Sequence, residues 1–312
     1  MSEVVLVRGG EGEIVRSRIR AEFPDVVVFD DDDGATTIDP SVTIVAGRVP
    51  DAAVDAAASL SWVHSWAAGV ESDVGPRLRA TDITVTSSAG NGAVPLAEHA
   101  LLLALLLDRG ATRWFDSARS ARWDRFTHGE LFGKTLGVYG FGNIGEALAP
   151  RARAFGMTVV GLRRTVGRST PDIDRMYAPD EMLEFAARCD VLVVAAPLTT
   201  HTRGAIDQSV LSALRPGATV VVVSRGGIVV DDDLLDALRS GGVAAAGLDA
   251  HATEPLPADS PFWSLENVVV TPHNGATTAA TAARGTEIFL DNLRRRVEGE
   301  PLVNRVDLVA LA

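Results

Sequence analysis

The feature that most constrains the fold is a glycine-rich turn between an apolar run and an amphipathic segment. The apolar run covers residues 136–139, the turn reads Gly-Phe-Gly-Asn-Ile-Gly at 140–145, and the amphipathic stretch continues to residue 155. In a strand–turn–helix unit, such glycines allow the tight turn, the approach of backbone to a pyrophosphate and the packing of helix on strand. The free amides of the helix N-terminus then bind phosphate oxygens. We predict a dinucleotide site that contains Gly140, Gly142, Asn143, Ile144 and Gly145.

Short β-branched runs alternate with Ala-rich amphipathic segments along the chain, which is typical of βαβ units and parallel sheets. Strands are predicted first at 4–7, 26–29, 43–46, 62–65 and 83–86, with helical segments at 14–23, 50–58 and 73–80. Later strands are predicted at 136–139, 158–162, 191–195, 219–223 and 268–270. The pattern indicates an α/β protein with two parallel-sheet domains of the Rossmann-like or flavodoxin-like kind.

A domain boundary is predicted near residue 93. Gly90-Asn91-Gly92 interrupts the alternation, and a long apolar helix starts at about Pro95, since proline is tolerated in a first helical turn. The dinucleotide-binding domain is therefore predicted at residues 94–279. The stretch 94–107 is more apolar than one domain needs, so we also expect it to form a homodimer interface.

Composition excludes several classes of protein. The 312 residues are 46% hydrophobic, enough for two cores, and the net charge of -12 argues against nucleic acid or an anionic membrane as partner. The one cysteine, Cys189, cannot form an internal disulfide, and no basic segment precedes an apolar signal core, so a cytoplasmic location is expected. The run at 94–107 carries Glu98 and His99 and is too short to span a bilayer. No Cys/His cluster has metal-ligand spacing, so no metal is expected.

The end of the strand that follows the glycine-rich helix indicates the cofactor. An acidic residue there accepts hydrogen bonds from the ribose of NAD, but this chain has Arg163, Arg164 and Thr165. Two guanidinium groups and a hydroxyl suit a 2′-phosphate, so NADP is the preferred cofactor. A solvated basic loop that tolerates NAD is the alternative.

Ordered motifs along nearly the whole chain resemble the D-isomer-specific 2-hydroxyacid dehydrogenases, which include glyoxylate and hydroxypyruvate reductases, D-lactate dehydrogenases and phosphoglycerate dehydrogenase. Besides the glycine-rich turn, the matching segments are 62–70, 94–99, 133–137, 197–202, 224–227, 247–249, 254–257 and 271–273. The resemblance implies a substrate-binding domain made of residues 1–93 and 280–312. It also implies an active site in the cleft between the two domains. The implied activity is hydride transfer between NAD(P)H and the alpha carbon of a small 2-oxo or D-2-hydroxy acid, such as glyoxylate or hydroxypyruvate.

By resemblance, Arg225 binds the substrate, Glu254 pairs with the histidine and His273 is the acid/base. The chemistry agrees, since reduction of a carbonyl needs a proton donor that works near neutral pH, and histidine meets that need. A carboxylate can fix its tautomer, and an arginine can bind the substrate carboxylate in bidentate fashion. The remaining implied contacts are Asp249, Pro197, Thr202 and Ser224 for the cofactor, and the amides of Ala68, Gly69 and Val70 for the substrate carboxylate.

Other interpretations stay open. Each candidate site residue, taken alone, could be an ordinary loop or surface residue. The same fold is also used by dinucleotide-bound corepressors that recognise proteins, and a D-3-phosphoglycerate dehydrogenase is a further alternative. The apolar run 220–223 lacks the asparagine that often precedes the substrate arginine, and Asn274 and Trp66 are unusual at their positions. These departures concern pocket shape and substrate choice. His99, beside Glu98, is expected to be packed or hydrogen-bonded. The other histidines are expected to be structural or exposed: His64, His128, His201 and His251.

Overall fold

A computed structural model of the chain describes residues 3–9, 12–29, 37–70, 73–165 and 172–309. The chain divides into two compact units, Met1–Gly92 with Thr278–Ala312, here called the split unit, and Ala93–Thr277, here called the central unit. Each unit is built on one sheet whose strands all pair in parallel. The predicted α/β class with two parallel sheets is confirmed.

The elements follow one another in strict alternation over much of the chain. In the split unit they are β1 (Val4–Val7), α1 (Gly12–Glu22), β2 (Val27–Phe29), β3 (Ile44–Ala46), α2 (Asp51–Val54), β4 (Trp62–Ser65), α3 (Pro76–Arg79) and β5 (Thr84–Ser87). The central unit begins with α4 (Ala93–Asp108), α5 (Ala111–Arg119), β6 (Thr135–Tyr139), α6 (Asn143–Ala154), β7 (Thr158–Leu162) and β8 (Arg175–Tyr177). It continues with α7 (Met182–Ala186), β9 (Val191–Val194), α8 (Gln208–Ala213), β10 (Thr219–Val222), α9 (Asp231–Ser240), β11 (Ala245–Leu248) and β12 (Val268–Val270). Two short 3-10 helices lie at Pro179–Glu181 and Pro261–Ser264, and α10 (Ala279–Glu298) returns to the split unit.

The strand order locates the edge where a ligand would bind. The split unit has the order β2-β1-β3-β4-β5, and the central unit has β12-β11-β10-β9-β6-β7-β8. In the central sheet the order reverses between β6 and β9, which pair directly. In open parallel sheets, ligands bind beyond the carboxyl ends of the strands at such a reversal. The glycine-rich turn follows β6 and therefore lies at this point.

The sheet of the central unit is covered on both faces. The strands β9 and β10 are buried along their whole length and consist almost only of Val and Leu. Such continuous apolar runs are expected when helices cover both faces of a parallel sheet. One face packs against α4 and α6 through Leu103 and Leu148, which are fully buried.

The last helix completes the core of the split unit. Phe289 of α10 is fully buried and stacks on Trp62 of β4, with ring centroids 5.5 Å apart. Leu290 and Leu293 join the same cluster. Burial of a large apolar side chain stabilises a fold by roughly 2 to 3 kcal/mol. The helix α10 is therefore part of the core of the split unit.

Two helices are shorter in the structure than the sequence predicts. Two strands of the structure are absent from the sequence prediction. The segments 50–58 and 73–80 form only the short helices α2 and α3. The unpredicted strands are β8 and β11. In β11, a Cβ at Gly247 would lie 2.9 Å from Leu103 Cβ, so small residues are needed where α4 packs. That strand therefore lacks the β-branched residues on which the prediction depended.

Within the described chain, none of the helices combines the length and the apolar content that crossing a lipid bilayer requires.

Candidate active site

The first residue of the glycine-rich turn is fixed by backbone geometry. Gly140 has a φ of 86°, a left-handed conformation that side chains disfavour. A Cβ at this position would lie 2.3 Å from the Cα of Ala196, beyond the end of the neighbouring strand β9. Only glycine fits both constraints, and the turn can therefore follow β6 without displacing β9.

The second and third glycines leave space and allow close packing. A Cβ on Gly142 would meet no atom within 4 Å, whereas one on Gly145 would lie 2.8 Å from the ring of Phe141. Gly142 is the N-cap of α6 and has no side chain to cap the helix. Among the described residues, none accepts a hydrogen bond from the amides of Asn143, Ile144 or Gly145. Open space in front of unpaired amides at a helix N-terminus suits a pyrophosphate.

The basic residues after β7 lie beside this turn. The amides of Gly140 and Phe141 both donate to the carbonyl oxygen of Leu162, at 2.9 and 3.0 Å, and Arg163 is the next residue. Arg163 is half-buried, and Arg164 and Thr165 are exposed. The backbone of the predicted 2′-phosphate segment is thus adjacent to the predicted pyrophosphate turn.

Three further predicted cofactor residues lie in the loops after β9 and β10. The hydroxyl of Thr202 donates to the carbonyl of Pro197 at 2.6 Å and accepts from the amide of Thr199 at 2.8 Å, which closes a compact loop. The hydroxyl of Ser224 is buried and donates to the carbonyl of Val194 at 3.2 Å. The Thr202 hydroxyl therefore closes its own loop, and the Ser224 hydroxyl ties the loop after β10 to the end of β9.

The loop that carries Arg225 packs tightly against the loop after β11. Arg225 is half-buried, and its guanidinium donates to the carbonyl of Ser224 at 2.8 Å. A Cβ on Gly226 would lie 1.9 Å from the carbonyl carbon of His251 and 2.2 Å from the amide nitrogen of Ala252. Only a glycine allows the two backbones to approach this closely. The approach places Arg225 next to the segment that leads to Glu254.

Glu254 and His273 form a direct pair. His273 Nδ1 lies 2.9 Å from both carboxylate oxygens of Glu254, and the side chains are 34% and 39% exposed for the histidine and the glutamate. The amide of His251 also donates to Glu254, at 2.9 Å. Burial raises the pKa of Glu254, but donation from the His251 amide and from His273 outweighs it and leaves the pKa below its ordinary value. The carboxylate is an acceptor, so the Nδ1 of His273 carries a proton.

Asp249 is fully buried and lies against the turn of His273. Its carboxylate accepts hydrogen bonds from the Thr271 hydroxyl at 2.7 Å, the Asn274 amide at 3.1 Å and the Gly275 amide at 3.0 Å. Burial raises the pKa of Asp249, but hydrogen bonds from His99, Thr271 and the Gly275 amide lower it to about 2. The contact with the nicotinamide that the sequence suggested stays a prediction.

In the split unit, residues 66–70 form a loop after β4. The carbonyl of Ala67 accepts from the Ser88 amide at 3.1 Å, and the carbonyl of Trp66 accepts from the Asn91 side chain at 3.3 Å. The amides of Ala68, Gly69 and Val70 donate to no acceptor in the part of the chain that the structure describes. The loop is anchored by its carbonyls, and unpaired backbone amides of this kind can donate to an anion.

Sequence reasoning missed two supporting residues. His251 holds Glu254 through its amide, and its Nε2 donates to the carbonyl of Thr271 at 3.0 Å. Thr271 also donates to Asp249. Neither residue type signals such a role by itself, because the contacts join loops that are about 20 residues apart in sequence.

His64 is fully buried between Thr86 and Ser88, and burial lowers its pKa to about 3.

The described residues contain no group of three or more His, Cys, Asp or Glu side chains that could hold a metal ion. Cys189 is buried, and burial raises the pKa of its thiol to about 12.

The fold and these residues define a class of protein. The central unit is a doubly wound α/β domain with a dinucleotide-binding type of turn at its strand-order reversal, and it carries a histidine–carboxylate pair at the same edge of its sheet. A family model described as "D-isomer specific 2-hydroxyacid dehydrogenase, NAD binding domain" matches residues 100–275. The chain belongs to the D-isomer-specific 2-hydroxyacid dehydrogenase family.

Similar proteins agree with this assignment. A glyoxylate reductase of Pyrococcus furiosus is 33% identical over 282 residues, which cover 86% of this chain and 83% of that protein. A crystal structure of a D-isomer-specific 2-hydroxyacid dehydrogenase from Xanthobacter autotrophicus, in complex with NADPH and MES, superimposes with a TM-score of 0.86. It is 30% identical and covers 100% of both chains.

A D-3-phosphoglycerate dehydrogenase of Mycobacterium leprae is 40% identical over 216 residues, 68% of this chain. The match spans 40% of the length of that relative.

Proposed function

We propose that this chain is an NADPH-dependent reductase that converts small 2-oxo acids of the glyoxylate and hydroxypyruvate type into D-2-hydroxy acids. The observation that carries the proposal is the contact of His273 Nδ1 with both oxygens of Glu254 at 2.9 Å. This pair lies on the same unit as the glycine-rich turn.

The residues at the carboxyl edge of the central sheet fit a dinucleotide. Gly142 leaves open space, and the amides of Asn143, Ile144 and Gly145 can donate to pyrophosphate oxygens. When bound, the nicotinamide supplies the hydride that reduces the carbonyl carbon. We therefore propose that residues 94–279, nearly the same as the central unit, form the dinucleotide-binding domain and that residues 1–93 with 280–312 form the substrate-binding domain.

His273 is the proposed acid. Its Nδ1 proton points to Glu254, so Nε2 is the ring atom that remains for the substrate. As negative charge develops on the carbonyl oxygen, Nε2 of the imidazolium transfers its proton to that oxygen. The ring is left neutral with its proton on Nδ1, where Glu254 accepts it. In the reverse direction the same neutral ring takes the proton from a hydroxyl. Glu254 thereby fixes the tautomer and stabilises the charged ring.

Arg225 and the loop of Ala68, Gly69 and Val70 are the proposed anion-binding groups. A guanidinium binds a carboxylate through two parallel hydrogen bonds and also polarises the adjacent carbonyl. The three loop amides have no acceptor among the described residues, and we propose that they also bind the substrate carboxylate. Both elements are neutral or positive, although the whole chain carries a net charge of -12. The anion is thus captured by local groups.

NADPH is the proposed preferred cofactor because the three residues directly after β7 include no carboxylate. Arg163 lies beside the glycine-rich turn, and Arg164 and Thr165 are exposed next to it. A 2′-phosphate would gain charge-assisted hydrogen bonds from these groups. The similar Xanthobacter autotrophicus protein was crystallised with NADPH, which supports this preference. NADH use is the alternative.

The relatives support the proposed substrate class. The glyoxylate reductase of Pyrococcus furiosus matches over most of both chains, which supports reduction of a small 2-oxo acid. The 40% identity with a D-3-phosphoglycerate dehydrogenase supports a second candidate, oxidation of a phosphorylated 2-hydroxy acid. A corepressor-like role has no comparable support.

One screen distinguishes these candidates. The oxidation of NADPH and of NADH is followed at 340 nm with glyoxylate, hydroxypyruvate, pyruvate and bulkier 2-oxo acids. The reduction of NADP+ and of NAD+ is followed in the same way with D-3-phosphoglycerate. We expect the highest kcat/KM for NADPH with glyoxylate or hydroxypyruvate. Turnover of D-3-phosphoglycerate alone would support the second candidate, and no turnover with any compound would refute the proposed activity.

We further propose a cytoplasmic homodimer formed through the apolar helix α4. Leu102 on this helix is 49% exposed, and Leu105 and Leu107 are half-buried within the chain. Contiguous exposed apolar surface favours self-association. Light scattering at micromolar concentration should give twice the 32.8 kDa mass of one chain.

A further inference from the structure

We propose that His99 is a positioning residue for the reaction: acting on Asp249 and Thr271, it fixes the turn that carries His273. This inference rests on the proposed function of His273 as the acid. The residue lies on α4, outside the loops that carry the other site residues. All groups in the argument belong to the central unit.

The carboxylate of Asp249 holds the chain on both sides of His273. Before the histidine it binds the Thr271 hydroxyl, and after it the amides of Asn274 and Gly275, at distances between 2.7 and 3.1 Å. Between these contacts His273 has a φ of 52°. A left-handed conformation is costly for a residue with a side chain and persists only when the surroundings impose it. The Asp249 contacts provide that constraint.

His99 completes the set of contacts around Asp249. Its Nε2 lies 3.0 Å from the Thr271 hydroxyl oxygen and 3.4 Å from Asp249 Oδ1. The imidazole is largely buried, with 13% of its side chain exposed. It therefore reaches from the long helix into the hydrogen-bond network that holds the turn.

The positions of the protons in this network follow from the ionisation of Asp249. Hydrogen bonds keep the pKa of this carboxyl at about 2, so near neutral pH it can only accept. The hydroxyl of Thr271 has one proton and donates it to Asp249 at 2.7 Å. Its oxygen must then accept from His99, whose Nε2 carries the proton. A hydrogen-bond donor at the position of His99 Nε2 is thus required, and an apolar side chain cannot replace it.

Packing leaves little room for the turn to adjust. A Cβ on Gly275 would lie 2.8 Å from Asp249 Oδ2 and 2.9 Å from His99 Cδ2. The imidazole, the carboxylate and the backbone after His273 are therefore in close contact. A change at His99 is transmitted to the turn, because no intervening space can absorb it.

The test compares two substitutions that differ in one property. His99→Gln keeps a donor near the position of Nε2, whereas His99→Leu has similar bulk without any polar atom. Glu98→Gln, at the neighbouring exposed position of α4, controls for general effects on the helix. Each protein is assayed for kcat, for KM of NADPH and of the best 2-oxo acid, and for hydrogen exchange of the Asn274 and Gly275 amides by NMR.

We expect His99→Leu to lower kcat about tenfold, since small displacements of a reacting group are costly, while KM for NADPH changes less than about twofold. Exchange of the two amides should become about tenfold faster in the same variant. In His99→Gln and Glu98→Gln, kcat and the exchange rates of the two amides should stay within about threefold of the parent values.

Two results would overturn the inference. One is a His99→Leu variant with parental kcat and parental amide exchange. The other is equal impairment of His99→Gln and His99→Leu, which would mean that the imidazole serves packing rather than donation. A parent without activity toward any 2-oxo acid would refute the proposed function instead. The amide exchange would still decide whether His99 holds the turn.

Discussion

Gly226 is the position at which a single added carbon atom should disrupt the proposed active site. A Cβ there would lie 1.9 Å from His251 C, 2.1 Å from His251 O and 2.2 Å from Ala252 N. These are backbone atoms, so a side-chain rotation cannot relieve the overlap. The 251–252 backbone must move, and the His251 amide that donates to Glu254 at 2.9 Å moves with it.

The expected magnitude follows from this displacement. Overpacking of this kind costs about 1 to 3 kcal/mol, which corresponds to a decrease in Tm of roughly 2 to 12 °C for a unit of this size. Loss of the alignment between Glu254 and His273 should lower kcat by about tenfold to a hundredfold. The affinity for NADPH should change little, because the Gly226 contact does not involve the glycine-rich turn after β6.

The matched control is Gly242→Ala. The nearest atoms to a Cβ at Gly242 lie at 3.7 Å, which is ordinary van der Waals contact. Both variants are assayed for kcat with saturating NADPH and glyoxylate, for NADPH binding by fluorescence and for Tm. Parental kcat in Gly226→Ala, or an equal loss in both variants, would refute the link between the loop contact and the Glu254–His273 pair.

Three further predictions concern the anion, the cofactor and pH. Arg225→Ala should lower kcat/KM for the 2-oxo acid by at least about a hundredfold with unchanged NADPH affinity, and unchanged steady-state kinetics would exclude the role. Arg163→Asp should shift the ratio of kcat/KM for NADPH over NADH by about ten- to a hundredfold toward NADH, and an unchanged ratio would place the arginine away from the 2′-phosphate. The pKa of Glu254 lies below its ordinary 4.5, so its contribution to stability is complete above that value and is lost as the pH falls through the lowered pKa. The Tm difference between parent and Glu254→Gln should therefore shrink as the pH falls below about 5, and a difference that grows in acid would contradict this sign.

Much of the fold could be predicted because the strands carry a strong signal. In β9 and β10, consecutive buried Val and Leu residues mark strands that are covered on both faces. The strand β11 gave no such signal, since its Ala-Ala-Gly-Leu sequence reflects the close packing of Leu103 on Gly247. Propensity describes a residue's own preference and contains no information about the helix that packs on it.

For the candidate site, the sequence indicated one pair of residues but not the contacts around that pair. The sequence indicated Glu254 and His273 as a pair, and the structure brings them together. It gave no sign that Asp249 holds the turn after His273 or that Gly226 lies against the 251–252 backbone. These contacts join separate loops, and their geometry depends on strand order, which periodicity does not specify.

The most direct test of the central proposal is NADPH oxidation with hydroxypyruvate by the parent and by His273→Asn, together with chiral analysis of the product. The proposal predicts stoichiometric formation of D-glycerate by the parent. It also predicts a kcat at least about a hundredfold lower in the variant, whose NADPH affinity is retained. An L-product would contradict the proposed formation of D-2-hydroxy acids, and a variant that turns over at the parental rate would contradict the assignment of His273 as the acid.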